Sequence, residues 1–382
     1  MSCNILGINP FHNGSACVLS DGNITYFLEE DRLSRKKHDA HPFRVIGEII
    51  SQFEINEIVI AGINHYNNVL NYTYEDPFLC YIRKYFRSPE YDKIKNIEIT
   101  NVSDSHHLMH ALHAFYNSEF NESLCFVLDS GGSSKKDKKN NTNLKERSSI
   151  FHLTQNSSQL LQSDNLTIDN MCSFKPKSIG VSLCEFYSEV TNRLGFGNIG
   201  GEGKTMGLSS YGKFNSKIPS LLKNLSTDPN LAWFELGFAD KIYKRIDENI
   251  FPLKKFYDWK STYSQQYNYE KDLAWRIQKD AQEVVKNYIK EYTEKTGINN
   301  VVCSGGYFLN CVSNYYLVKE FPNINFYFEP LAHDGGTAIG AAYYRWRQLN
   351  SNFKPKKQKT LYYGPKYSKE QLIEGIKKYG NI

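Results

Sequence analysis

Apolar residues cluster from the first residues of the chain onward. Residues 4–9 (NILGIN) are mainly apolar, residues 10–14 contain Pro10 and Gly14, and residues 16–19 are apolar again. The run Ser20-Asp21-Gly22-Asn23 is a tight-turn signal, and residues 24–28 predict a third strand. A second unit of the same form starts near residue 123. Residues 124–128 (LCFVL) predict a buried strand, Asp129-Ser130-Gly131-Gly132 a small-residue turn, and residues 149–153 a returning strand. Two such units about 120 residues apart predict two related halves facing each other across a cleft. Between residues 270 and 295, Leu273, Ile277, Ala281, Val284, Tyr288 and Tyr292 recur at helical spacing, and Gly297 ends the pattern. Residues 300–306 predict a buried strand entering a glycine turn, and residues 336–347 a further helix. Residues 351–365 resemble a linker, and residues 366–382 begin a new element.

Composition narrows the class. With 382 residues, 40% hydrophobic and 14% aromatic, the chain can bury substantial cores and is not globally disordered. No apolar stretch reaches the roughly 20 residues that span a bilayer. The first residues carry no basic segment followed by an apolar one, so no secretory signal is read. Eight cysteines without a CxxC pair, several inside apolar runs, predict buried free thiols and a cytoplasmic location.

A net charge of +5 raises nucleic acid as a partner. The charge is concentrated, however. Residues 135–147 contribute +4 and residues 351–382 contribute +6, which leaves the body mildly acidic. Residues 135–147 read as a solvated loop, with contact to an anionic acceptor as the sharper alternative.

The chemistry-bearing residues fall into three groups. Four of the ten histidines lie in Ser105-His106-His107-Leu108-Met109-His110-Ala111-Leu112-His113. On a helix, His106 and His110 share a face, as do His107 and His110, so either pair can bind one metal. Two imidazoles need carboxylates beside them. Asp129 and Asp334 both precede glycines at predicted strand ends, and a His2Asp2 set suits Fe(II), Mn(II) or Zn(II). The second group is glycine-rich: Gly131 and Gly132, Gly200-Gly201-Glu202-Gly203-Lys204, Gly305 and Gly306 with Asn310, and Gly335 opening a helix. Such turns predict backbone N–H contacts to a nucleotide phosphate, although neither a P-loop nor a GxGxxG fingerprint is present. The third is N-terminal. His12 lies in a turn where an imidazole can act as base, and Arg35 or Lys36 can neutralise an anion. Most of residues 29–39 read as a solvated helix face.

Taken in order, GINPFHNGSACVLSDG, EEDRLSRKKHD, HHLMHALHAFY, VLDSGG, GEGKTMGLSSYG, CSGGYFLNCVSN and EPLAHDGGTAIGAAYY cover about nine-tenths of the chain in their spread. This series resembles the O-carbamoyltransferases of the nodulation-factor and antibiotic type, whose transferase domain is similar to the enzymes that place threonylcarbamoyl on tRNA adenosine. The resemblance implies an α/β fold, the duplicated actin-like ATPase fold shared with sugar kinases. Its halves would be residues 1–120 and 121–350, and residues 351–382 would lead toward a C-terminal adenylate-synthesising domain. It implies iron held by His106, His110, Asp129 and Asp334, carbamoyl adenylate made from carbamoyl phosphate and ATP, and a hydroxyl acceptor on a small molecule or sugar. By motif, His12 is the expected base and Lys36 lies near the donor. Gly131, Gly132, Glu202, Lys204, Gly305, Gly306, Asn310 and Gly335 are expected around the nucleotide. The chain stops where the synthesising domain of such proteins would begin, so the expectation is either that a separate protein supplies the adenylate or that the sequence is a fragment. Nucleic acid as acceptor, or a non-catalytic nucleotide-binding module, are the alternatives.

Overall fold

The computed structural model describes residues 3–63, 92–137, 142–168, 183–197, 200–218, 220–221, 263–354 and 356–379. These build two mixed α/β sheets. In the first, β1 (Asn4–Asn9), β2 (Ser15–Ser20), β3 (Asn23–Glu29), β4 (Glu57–Ile60) and β5 (Ile99–Asn101) lie in the order β3-β2-β1-β4-β5. The β1–β2 and β2–β3 pairs are antiparallel, and β1–β4 and β4–β5 are parallel. The second sheet contains β6 (Glu122–Leu128), β7 (Ser134–Asp137), β8 (Thr142–Thr154), β9 (Ser158–Ile168), β10 (Asn300–Ser304) and β11 (Asn325–Phe328). Its path β9-β8-β6-β10-β11 has the same succession, antiparallel through β9, β8 and β6 and parallel through β6, β10 and β11.

Strand periodicity distributes the side chains. Leu6 and Ile8 of β1 join one core, whereas Ile5 joins another. In β6, Leu124, Phe126 and Leu128 face one way and Cys125 and Val127 the other. Both faces are therefore covered, which explains why these strands read as near-continuous apolar runs. Against the first sheet packs α2 (Phe43–Gln52), through Val45, Ile46, Ile49 and Ile50. The middle layer is α3 (His106–Asn117), buried at every residue except Leu108, together with α8 (Thr337–Leu349). Beyond the second sheet lie α4 (Leu183–Arg193) and the long α6 (Tyr263–Thr296). Gly297, at φ 73°, closes α6 by donating to Thr293. Along α6 the buried face runs through Leu273, Ile277, Ala281, Val285, Ile289 and Tyr292. The stripe therefore steps by one residue from the predicted Val284 and Tyr288, which are only partly buried.

The middle layer is packed at backbone distance. A Cβ on Gly340 of α8 would lie 2.0 Å from the Met109 carbonyl of α3, and one on Gly7 of β1 would lie 2.0 Å from the Ala338 carbonyl. Only glycine permits these approaches.

Three segments differ from the sequence expectations. Residues 135–147 are not a solvated loop: β7 and β8 occupy the described part, and residues 138–141 lie outside it. Strands pair along both edges of β8, so Glu146 and Arg147 are enclosed and buried. Residues 29–39 are not a helix face. Only α1 (Asp31–Ser34) is helical, and Arg35, at φ 62°, ends it. Glu29 and Glu30 are buried, and the Glu30 carboxylate accepts the Val45 N–H at 3.2 Å, doing for α2 what its N-cap Pro42 cannot. The presumed linker is anchored: Lys356 and Gln358 donate their N–H groups to the Tyr116 and Asn117 carbonyls at the end of α3. It leads to α9 (Lys369–Lys378), which starts with a Ser368/Gln371 capping box. Of the cysteines, Cys17, Cys125 and Cys303 are buried and Cys311 is exposed, while Cys80 and Cys172 lie outside the described residues. Among the described residues no helix is long and apolar enough to cross a membrane.

Candidate metal centre

The histidines sit on α3 because its remaining faces are apolar and its ends meet two sheets. One helical turn separates His106 from His110, so both rings reach the same side. Their rings meet edge to face, with Nε2 atoms 3.2 Å apart. Asp129 arrives at the end of β6 and Asp334 in the turn before α8. One ligand atom from each of the four residues falls within 4.8 Å of the others. His106 Nε2 is 3.6 Å from both Asp129 Oδ2 and Asp334 Oδ1. His110 Nε2 is 3.9 Å from Asp129 Oδ2 and 3.5 Å from Asp334 Oδ1. All four residues are buried.

Each carboxylate uses one oxygen for this cluster and the other elsewhere. Asp129 Oδ1 accepts the Gly306 N–H at 3.3 Å, and Asp334 Oδ2 lies 3.2 Å from His12 Nε2. The imidazoles are held from behind: His106 Nδ1 is 3.1 Å from the Gly62 carbonyl and His110 Nδ1 is 3.4 Å from Ser304 Oγ. A carbonyl fixes the proton of His106 on Nδ1 and leaves Nε2 with its lone pair toward the carboxylates.

Electrostatics favour a cation between them. Burial alone would lower the His106 pKa, but Asp334 and Asp129 outweigh it and raise it to about 10. Burial raises Asp334, yet His106 and His110 carry it well below the usual carboxylate range. Two carboxylates enclosed this closely require positive charge nearby. Donors bonded at about 2.0–2.2 Å to one ion lie roughly 3.0–3.6 Å apart, and most separations here match. The donor set therefore fits a first-row transition metal. His107 does not face this cluster. Its Nδ1 meets Ser149 Oγ at 2.8 Å, and its Nε2 is buried without a partner.

The remaining predicted residues fall around the cluster at varied distances. His12 reaches it through Asp334 while its side chain stays 63% exposed, open to an incoming group. Lys36 is exposed on the loop after α1. It is Lys37 and His38 of that loop that approach Gly200, within 3.5 Å and 3.2 Å of where its Cβ would be. Glu202 accepts Ser188 Oγ at 2.6 Å at the start of α5 (Glu202–Ser209), and Lys204 lies 6.0 Å over the Phe196 ring. Asn310 caps α7 (Cys311–Glu320) by accepting the Ser313 N–H, and exchanges two amide bonds with Gln278 at 2.9 and 3.1 Å. The glycine turns differ from the expectation in one respect. The N–H groups of Gly132, Gly305, Gly306 and Gly335 are bonded to Glu146 O, Ala332 O, Asp129 Oδ1 and His333 Nδ1. These glycines provide close approach: a Cβ on Gly305, at φ 91°, would stand 2.3 Å from the Leu128 carbonyl.

Several residues beside the site were not among the predicted site residues. Glu29 pairs with His333 at 3.1 Å, next to Gly335. Lys145 and Arg147 lie against the turn after Asp129. Glu329 and His113 form a buried pair one strand end away, 3.5 Å apart.

Residues 68–343 match the family described as Carbamoyltransferase N-terminus. The chain belongs to this carbamoyltransferase family. All four cluster residues lie inside the matched span, while His12 and Lys36 precede it. The nodulation protein NolNO of Sinorhizobium fredii is 25% identical over 95% of this chain and 50% of its own length. A protein of Synechocystis sp. is 28% identical over 98% of this chain and 62% of its own. The carbamoyltransferase chain thus spans about half the length of the curated relatives it matches. Among solved structures, HypF of T. kodakarensis superposes with a TM-score of 0.50 at 12% identity, covering 92% of this chain and 48% of HypF. That likeness concerns the fold.

Proposed function

We propose that this chain transfers a carbamoyl group from carbamoyl adenylate to a hydroxyl of a small molecule or sugar. The observation that carries this reading is the convergence of His106, His110, Asp129 and Asp334 inside a carbamoyltransferase family domain, with His12 Nε2 3.2 Å from Asp334 Oδ2. The two halves, residues 1–120 and 121–350, are read as a duplicated actin-like fold around a nucleotide cleft, and the repeated strand succession supports this. Residues 351–382 are read as the passage to a further domain. The adenylate derives from ATP and carbamoyl phosphate, supplied by another domain or protein.

The four ligands would hold Fe(II), or Mn or Zn, which when bound supplies a Lewis acid for the carbamoyl oxygen. His12 serves as base. With its Nε2 turned toward Asp334 Oδ2, 3.2 Å away, Nδ1 is the atom left to take the acceptor's hydroxyl proton. Asp334 fixes the ring so that the same atom always faces the acceptor. Lys36 and its neighbours Lys37 and His38 face the donor from the loop that touches Gly200. Around the nucleotide, Gly131, Gly132, Gly305, Gly306 and Gly335 act chiefly by lacking side chains, while Glu202, Lys204 and Asn310 border the cleft. A small-molecule acceptor is favoured over nucleic acid, because within the described part of the basic run Arg147 is buried and its charge is met by Glu185.

The test supplies carbamoyl adenylate and a panel of hydroxyl acceptors to the purified chain and looks by mass spectrometry for the gain of one carbamoyl. Transfer that depends on His12 and on the ligand set supports the reading. Hydrolysis alone with every acceptor counts against it.

A further inference from the structure

The strand β8 carries two cations to the metal centre's edge. Arg147 is buried, and its Nη1 donates to the Ser130 carbonyl and to the Glu185 carboxylate. Its charge is thereby matched. Lys145, two residues earlier on the same face of β8, is partly buried, and among the described residues its ammonium has no hydrogen bond or ion pair. The carboxylates of Glu185, Asp129 and Asp334 act on it only at longer range, while burial and Arg147 lower its pKa. A partly buried ammonium without a counter-ion is costly.

Its position is fixed by glycine. A Cβ on Gly131 would lie 2.5 Å from Lys145 Cε, 2.7 Å from Nζ and 3.4 Å from Arg147 Nη1. The lysine end therefore lies across the backbone of Gly131, two residues from Asp129, in space that any other residue would take. The turn after β6 is thus shaped to bring a positive charge, unmatched among the described residues, close to the carboxylate that faces both histidines.

We propose that Lys145, steadied by Arg147 across the Ser130-Gly131 backbone, receives the phosphoryl oxygens of the adenylate donor. This rests on the donor reading above. The phosphoryl is the donor's anionic group, and transfer leaves AMP with one more negative charge than the adenylate held. An ammonium there binds the departing group more strongly than the ground state, which is the condition for assisting the step.

Calorimetric titration of AMP and of adenosine into the full-length chain tests this, with metal content and melting temperature measured in parallel. The wild type should prefer AMP to adenosine. Lys145→Met should remove that preference, a loss of at least about tenfold in AMP affinity for one charge-assisted hydrogen bond, with adenosine affinity and metal content unchanged. Gly131→Ala should give the same pattern, because its methyl group displaces only the flexible lysine end. A Lys145→Met protein that keeps the AMP preference overturns the inference and leaves the donor reading standing. A variant that loses adenosine, AMP and metal together shows a structural role and overturns it also. A wild type that binds neither nucleotide refutes the donor reading, and this inference with it.

Discussion

Glu329→Gln should change how stability depends on pH. Glu329 ends the segment after β11 and is fully enclosed. Its Oε1 accepts the Leu331 N–H at 3.1 Å and its Oε2 meets Asn117 Nδ2 and Tyr327 OH, each at 3.2 Å. Tyr327 OH is also 3.0 Å from Gln358 Oε1. A phenol has one proton, so if Tyr327 donates to Gln358 it can accept from a protonated Glu329. Burial likewise raises the Glu329 pKa from 4.5 to about 7, while it lowers His113 to about 3. The proton that the unfolded chain keeps on histidine thus resides on the carboxyl when folded. Sign follows from proton numbers. Between pH 4.5 and about 7 the folded chain holds more protons at Glu329 than the unfolded chain does, so this group's stabilisation falls as pH rises through that interval. The interval corresponds to about 3 kcal/mol. His113, neutral when folded, gives the opposite slope up to 6.5, so the pair nearly cancels in the wild type. Glutamine cannot titrate, and the cancellation ends. Urea unfolding at pH 5 and pH 7.5 should show Glu329→Gln gaining about 2.5 kcal/mol relative to the wild type over that range. A difference independent of pH would mean that Glu329 is ionised when folded, paired with a charged His113, and would refute the neutral-pair argument.

Two further outcomes are expected. The purified chain should carry about one equivalent of a first-row transition metal, and His110→Ala should weaken binding beyond the roughly 10–100-fold typical of outer-shell changes; elemental analysis that finds the same metal content in the variant would sink the ligand assignment. Gly305→Ala places a methyl against the Leu128 carbonyl at a left-handed φ of 91°, so a loss of about 2–4 kcal/mol is expected in thermal unfolding, and an unchanged melting temperature would contradict the geometry.

Where the chain advertises one face at a time, its sequence was readable. β1, β2, β3 and β6 fall where apolar runs are bounded by turns, and α3 where histidine spacing meets apolar neighbours. Asp129 and Asp334 stood out beside glycines at predicted strand ends, whereas spacing alone left His106 and His107 as rival partners of His110. The β8 strand was not. Lys145, Glu146 and Arg147 look solvated by composition, since pairing on both strand edges is a long-range event that no local pattern records. Asn310 was read toward a ligand although its place before α7 is that of a helix cap. Glu329 and His113 were not read as a pair because their burial is set by residues far away in the chain, such as Asn117 for Glu329 and Gly336 for His113.

The contact of Gly340 with the Met109 carbonyl has a meaning for ion choice. The helix that carries His106 and His110 and the helix that Asp334 precedes touch through main chain, with no side chains between them to yield. The main-chain separation between the segment that carries the two imidazoles and the one that carries Asp334 is therefore fixed before any ion arrives. A hard ion such as calcium, which needs about 6–8 oxygen ligands, would meet two fixed imidazole nitrogens in place of oxygens. Gly340, remote from any chemistry, sets how closely the two ligand-bearing segments stand.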